Sequence, residues 1–433
     1  MPKTGTLIAT ALCLALCGCP FFVDGKEKST YRAKIVWASE ITRVATYTLH
    51  GDSVYYYGAM PDFVVENVGD ILKVPYYLTK ISAETGELLW HSEFAILGIQ
   101  YVPPAVIGNS VYAFMIPDGI FVFDCETGKH TATVAVRTGH YKSDMDWNTV
   151  SHGNYLYMGF YPETGPNSFA RLDVNRIKYG GDPDELQIIK PEILWQPENR
   201  SLVASRPVAY GNAVYTGTFY LSEGRPVELA GFDIDTGEMV FHAAFGGTDE
   251  DDGTIVSADS GSSDNPIFIH DGVLYYMGVS VSAWNLNTRE RLYRHVFPVA
   301  DAKNFHGSDG HPEAVLYDGK IIMVTSNSRH FSEDSFPRIQ AIDMATGRLA
   351  WRTRLTALES QDTNPIIVNG RLYTSHHDGF HVFDPANGNL IGVDKSFSGS
   401  SSPNFLYNGR IITVKRLNRD RTFMQFVAVD VGR

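Results

Sequence analysis

Residues 339–355, IQAIDMATGRLAWRTRL, set two short apolar runs either side of a polar turn. The pattern predicts a strand, an Asp, a Thr-Gly turn, and a second strand carrying Trp351. Near-copies stand at 78–94 (LTKISAETGELLWHSEF), 121–134 (FVFDCETGKHTATV) and 229–245 (LAGFDIDTGEMVFHAAF). A second marker, a tight turn followed by an apolar strand, recurs as GDSVYYYG at 51–58, GNSVYAF at 108–114, GNYLYMGF at 153–160 and GNAVYTGT at 211–218. It returns as DGVLYYMG at 271–278, DGKIIMVT at 318–325, NGRLYTSH at 369–376 and NGRIITVK at 408–415. Anchored on Val54, Val111, Leu156, Val214, Leu274, Ile321, Leu372 and Ile411, the eight copies are spaced by 57, 45, 58, 60, 47, 51 and 39 residues.

Each part of the unit has a physical reason. Asn-Gly, Asp-Gly and Gly-Asn supply the positive φ of tight hairpins. Pro104, Pro207, Pro266, Pro312, Pro365 and Pro403 stand where a leading strand begins and no ladder N–H is needed. In the Asp-x-x-Thr-Gly turn the Asp side chain can accept from turn amides while Gly takes the left-handed conformation. The unit is therefore four antiparallel strands, repeated eight times. A single such sheet cannot bury both faces, and radial packing against neighbours solves this. The eighth unit has no fourth strand before Arg433, and KIVWASEI (34–41) matches ELLWHSEF (87–94), Trp37 against Trp90. The predicted fold is all-β: an eight-bladed β-propeller of four-stranded antiparallel blades, its ring closed by the N-terminal strand completing the last blade.

Composition adds a location. The chain has 433 residues, 44% hydrophobic, with formal net charge −13 and no basic tract, which argues against nucleic-acid binding. Lys3 precedes the uncharged run TLIATALCLALCGC, of signal-peptide length and too short to span a bilayer. Its end, Leu16-Cys17-Gly18-Cys19, resembles a bacterial lipobox. The expected organisation is a lipoprotein signal peptide over 1–18, lipidation at Cys19, a tether over 19–33 and the propeller over 34–433. An ordinary signal peptide cleaved nearby, or an uncleaved anchor, is the alternative. Three of the four cysteines lie in this export segment, leaving Cys125 alone in the fold with no intrachain disulfide to form.

The pattern Ala-x-Asp-x-x-Thr-Gly-x-x-x-Trp, nearly complete over Ala341–Trp351, resembles the PQQ-like repeat of eight-bladed propellers. It is recognisable at 122–132, 231–241, 283–293 and 382–392, and degenerate at 172–177, where Arg176 and Ile177 replace Thr-Gly. The resemblance covers residues 34–433. One branch of that family, the quinoprotein dehydrogenases, holds pyrroloquinoline quinone and Ca²⁺ in the central channel beneath a pair of adjacent cysteines. No such pair is present here. The other, the BamB type, is a lipid-anchored scaffold in the machinery that inserts outer-membrane β-barrels, and the lipobox, short tether and eight blades resemble it.

Blade topology sorts the loops. Turns within the first and last hairpins of each blade share one face and are short, apart from an insertion at 175–192. Loops between second and third strands, and crossovers between blades, share the other, which carries most of the long polar segments: 59–75, 137–147, 246–264, 298–311, 326–337 and 356–363. Function is expected there. Segment 246–264 holds six carboxylates and no Lys or Arg. Asp249, Asp251 and Asp252 are candidates for Ca²⁺ or a basic partner, although the spacing is not that of an EF-hand and a solvated loop has the same composition. His306, Asp309 and His311 are candidates on the next long loop. Further histidines stand at His140, near Asp144 and Asp146, and at His376, His377 and His381. None has a recognised metal-ligand spacing, and ordinary turn and strand-end roles fit them equally.

The sequence thus reads as a non-enzymatic interaction scaffold at the bacterial envelope, with no cofactor assigned. It is expected to be lipid-anchored, in the outer membrane facing the periplasm, with envelope proteins as partners, a barrel-insertion complex among them. The rival reading is a quinoprotein-like oxidoreductase or small-ligand binder using the central channel.

Overall fold

The computed structural model describes residues 23–24, 31–40, 43–59, 66–68, 71–73, 75–94, 96–97, 102–115, 119–136, 143–145, 149–162, 168–197, 202–203, 207–219, 227–245, 267–277, 280–296, 314–325, 338–355, 365–376, 379–397, 404–417 and 424–431. Eight sheets follow one another around a ring, each with a four-stranded antiparallel core taken in chain order, except that blade eight takes its outer strand from the N-terminal part of the chain. Blade two is representative: Ala105–Ile107, Ser110–Met115, Gly119–Asp124 and His130–Val136, running outward from first to last. The outermost strands of the others are Leu88–His91 in blade one, Glu192–Trp195 in three and Met239–Phe245 in four. They are Arg291–Val296 in blade five, Leu349–Arg354 in six, Leu390–Asp394 in seven and Lys34–Ala38 in eight.

Blade eight closes the ring as the repeat count requires. Lys34–Ala38 pairs antiparallel with Met424–Asp430, Lys34 opposite Asp430 and Ala38 opposite Val427. The hairpin turns have the anticipated backbone. In blades five to eight both central residues are left-handed, as at Asp318 (φ 47°) and Gly319 (φ 69°), while blades one to four place glycine first, as at Gly108 (φ 58°).

The apolar core is divided among the seams. Eight buried clusters form, and each draws on two adjacent blades. The cluster between blades eight and one contains Trp37, Tyr47, Tyr56, Ile412 and Phe426, so ring closure buries a core as well as pairing an edge.

The Asp-x-x-Thr-Gly turn explains how seams are registered. The Asp124 carboxylate accepts from the amides of Glu126 (3.1 Å) and Thr127 (2.8 Å) and from the Thr127 hydroxyl (2.8 Å). These bonds, the Thr127 hydroxyl's foremost, hold its pKa below the usual carboxylate value. The turn's glycine then leaves a flat site for an aromatic ring on the preceding blade's outer strand. A β-carbon on Gly128 would sit 2.6 Å from Cδ2 and Cε3 of Trp90, and Gly86, Gly347 and Gly388 meet Trp37, Tyr293 and Trp351 in the same way. Three of these rings also bond across the seam, to the carbonyl of the residue just after the turn's first. Trp90 Nε1 donates to Cys125 O (3.0 Å), Trp351 Nε1 to Pro385 O (3.1 Å) and the Tyr293 hydroxyl to Met344 O (2.8 Å). Between blades three and four the Asp233–Gly237 turn is intact but no aromatic ring sits on Gly237, and the Arg171 guanidinium donates to Ile234 O instead. Cys125 therefore has a structural place: its side chain is buried, 2.7 Å from the Tyr55 hydroxyl.

Several segments of the described residues depart from the simple count, short added strands at Ile96–Leu97, Ser143–Met145 and Leu202–Val203 among them. The insertion at 175–192 is not only a loop, for Leu186–Ile189 pairs parallel with His130–Val136 as a fifth strand on blade two. Val23–Asp24 pairs parallel with Thr353 and Arg354, a fifth strand on blade six. Within 59–75, Glu66–Val68 and Ile71–Lys73 form a separate two-stranded hairpin.

Candidate functional site

The polar groups of the fold's interior are unevenly spread, and they mark out one arc of the ring. In blades two and three the strand ends nearest the long-loop face are mostly apolar and buried, with Phe114, Ile120, Met158, Phe160 and Phe169 and the polar Ser168. From blade four onward polar side chains take over. Blade four buries Thr216, Thr218 and Glu228, blade five Ser282, blade six Gln340 and Arg352, and blade seven Thr374, Ser375, His376 and His381. Thr413 and Asn404 continue the arc into blade eight.

Local bonding orders these groups. The Glu228 amide donates to Thr218 Oγ1 (2.8 Å), and the Glu228 carboxylate lies 3.3 Å from His242 Nε2, a contact half open to solvent on the histidine side. Arg352 donates through Nε to Gln340 Oε1 (3.2 Å) across paired strands. Between blades seven and eight, the Ser375 hydroxyl donates to Asn404 Oδ1 (2.7 Å) and lies 3.2 Å from Thr413 Oγ1. The His376 and His381 rings meet edge to face at 4.8 Å, with Thr374 Oγ1 bonded to His376 Nε2 and His381 stacked on Phe383. His376 is 0% and His381 2% exposed, and the pair lies within blade seven on the face opposite Ser375, so it is part of that blade's packing and offers no ring nitrogen to a ligand in bulk water.

The arc underlies the face on which sequence reasoning placed function. The named candidates Asp249, Asp251, Asp252, His306, Asp309 and His311 lie outside the described residues, as do Cys19, His140, Asp146 and His377. Asp144 is in the short strand Ser143–Met145. Of the histidine group at 376–381, His376 and His381 are brought together, but buried within blade seven. Among the described residues no three His, Cys, Asp or Glu side chains converge to hold a metal ion.

The polar arc itself was missed, though the repeat alignment holds a signal for it. Two residues beyond each anchoring apolar position the blades carry Tyr56, Ala113, Met158, Thr216, Tyr276, Met323, Thr374 and Thr413. Three threonines at a buried inward position, within a repeat that otherwise keeps it apolar or aromatic, mark the seams that carry polar bonding.

The chain is thus an eight-bladed propeller of PQQ-like repeats. Residues 278–396, from blade five through blade seven, match the family model described as outer membrane protein assembly factor BamB. The fold is similar to that of BamB from Moraxella catarrhalis, with 13% identity, a TM-score of 0.52, and coverage of 91% of this chain and 99% of that one. It is also similar to a europium-containing methanol dehydrogenase, at 10% identity and a TM-score of 0.59, covering 94% and 95% of the two chains. A quinohemoprotein alcohol dehydrogenase from Pseudomonas putida HK5 gives 10% identity and a TM-score of 0.59, covering 95% of this chain and 78% of that one. No curated protein matches by sequence. At these identities the structural likenesses establish the fold alone.

Proposed function

We propose that the protein is a lipid-anchored, non-enzymatic scaffold of the cell envelope, acting in the assembly of outer-membrane β-barrel proteins. The observation that carries this reading is the sequence match of residues 278–396 to the BamB assembly-factor family, where the dehydrogenases are alike in fold only. The export segment ending at Cys19 fits an anchored protein, and Pro20 in place of the Asp that often retains lipoproteins in the inner membrane favours the outer membrane.

The quinoprotein reading rests on the fold similarity to two dehydrogenases. The described residues do not fit a quinone and its calcium. Cys125, the one cysteine beyond the export segment, is bonded into the seam between blades one and two, and among the described residues no three metal-donor side chains converge. No reaction step is therefore derived.

Mild-detergent extraction of the lipidated protein, affinity capture and mass spectrometry test the proposal. The expected result is enrichment of an outer-membrane barrel-insertion protein, lost when 246–264 or 298–311 is replaced. A partnerless protein overturns it, and a stoichiometric chromophore or Ca²⁺ in the purified protein favours the channel reading.

A further inference from the structure

Two unrelated features fall on the same part of the ring's circumference. The first is the path of the N-terminal segment. Val23 and Asp24 are paired with Thr353 and Arg354 on the outer edge of blade six. By residue 33 the chain is on blade seven, where the Ala33 amide donates to Asp394 Oδ2 (2.6 Å), and it then enters blade eight at Lys34. The described parts of this segment thus touch the rim at two points, residues 23–24 on blade six and Ala33 on blade seven. Cys19 is four residue steps from Val23, so its reach from the edge of blade six is about 14 Å at full extension.

The second is charge. The outer strands of blades five and six, Arg291–Val296 and Leu349–Arg354, contain Arg291, Arg294, Arg352 and Arg354 and no carboxylate. The other six outer strands contain one Lys or Arg between them, Lys34. The turns leading into these two outer strands add Arg289 and Arg348, with Glu290 beside Arg289. Arg352 is buried against Gln340, but Arg289, Arg291, Arg348 and Arg354 are exposed. The two blades present one surface, since Arg348 is near enough to His295 to disfavour its protonated form, after burial, the larger cause. In a chain of net charge −13, four exposed guanidinium groups beside the carboxylate of Glu290 are a local excess of positive charge.

We propose that the rim of blades five and six is the membrane-facing surface of this protein: the docked N-terminal strand holds it within reach of the bilayer and its arginines meet phosphate headgroups. The proposal rests on lipidation at Cys19. It replaces a disc turning freely on a tether with a disc standing on one edge, so that the long-loop face and the channel mouth open sideways along the membrane. Guanidinium groups suit this role because their planar donors match phosphate oxygens, and anionic headgroups attract them within a Debye length.

The test uses the full lipidated protein reconstituted in vesicles of phosphatidylethanolamine and phosphatidylglycerol containing a nickel-chelating lipid. Spin labels are placed singly by Leu292→Cys and Ala350→Cys on the proposed rim, and by Leu89→Cys and Ile188→Cys on blades one and two across the ring. All four side chains are exposed, and Cys125 is buried. The expected result is relaxation enhancement by headgroup nickel several-fold greater at 292 and 350 than at 89 and 188. The contrast should shrink when Arg291→Glu and Arg348→Glu are combined. Equal enhancement at all four positions, a reversed order, or a contrast untouched by the double charge reversal overturns the proposal. Mass spectrometry of the mature N-terminal peptide separates the two readings. With a lipidated Cys19, equal enhancement removes only the rim assignment. An unmodified Cys19 removes the anchoring reading and the rim assignment with it.

Discussion

Gly128→Ala probes the seam device directly. Gly128 has φ +70°, and a β-carbon there would lie 2.6 Å from two atoms of the Trp90 ring. Two costs combine: the left-handed conformation costs an L-residue about 1–2 kcal/mol, and forcing the ring aside in a packed seam costs about 1–3 kcal/mol. Moving the ring also disturbs the Trp90 Nε1 bond to Cys125 O, a net contribution of about 1 kcal/mol. The matched control is Gly108→Ala in the same blade, where φ is +58° and nothing lies within 4 Å of the new β-carbon, so only the backbone cost applies. Urea-denaturation midpoints should fall for both variants, with Gly128→Ala worse by about 2 kcal/mol or more. In a Trp90→Ala background that excess should vanish, since the ring it collides with is gone. Equal midpoints for the two glycine variants, or an excess that survives removal of Trp90, would refute the account of the Thr-Gly pair as a ring seat.

Trp351→Phe keeps a ring over Gly388 but removes the donor to Pro385 O, and should cost about 1 kcal/mol in denaturant titration. Trp37→Ala opens the seam that closes the ring; about 3–5 kcal/mol should be lost, and limited proteolysis should cut first near residue 38. Burial lowers the pKa of His130, and likewise that of His295 with Arg348 adding to the effect, so both resist protonation in the fold. The unfolded chain binds those protons first, so stability is full above about pH 6.5 and falls as pH drops through the lowered folded values. His130→Phe should flatten part of that fall in melting temperature between pH 6.5 and 5, its ring retained among Phe94 and Phe121.

The fold was legible because each blade repeats chemistry that local physics dictates. Glycine and Asn or Asp set the hairpins, an Asp organises the Thr-Gly turn, and an aromatic four residues on finds its seat in the next blade. Where the motif decays, reading weakens. At Asp173 the turn becomes a short 3-10 segment over Val174–Arg176, and the insertion behind it returns as an edge strand on blade two. Nothing in Leu186–Ile189 announces a parallel partner more than fifty residues upstream, because a fifth strand needs only an open edge and no repeat signature. The polar arc was hidden for a different reason. Thr374, Ser375 and His381 look like ordinary strand residues until pairing shows which side faces the neighbouring blade. The arginines of blades five and six were likewise diluted in a whole-chain charge that has the opposite sign.

Ring closure also imposes an order in time. The bond between Lys34 and Asp430 joins residues 396 apart, while every other blade assembles from neighbouring hairpins. Bringing such distant segments together costs about 5 kcal/mol of chain entropy beyond the constant term, against about 1 for a tight turn. Seven blades can form as the chain is delivered, but the eighth must wait for the last strand, and until then Lys34–Ala38 is a strand without a sheet. The first part of the fold to be made is the last to be used. A chain of this design is made with one sticky edge at each end, and its vulnerability to misassembly is greatest just before the ring closes.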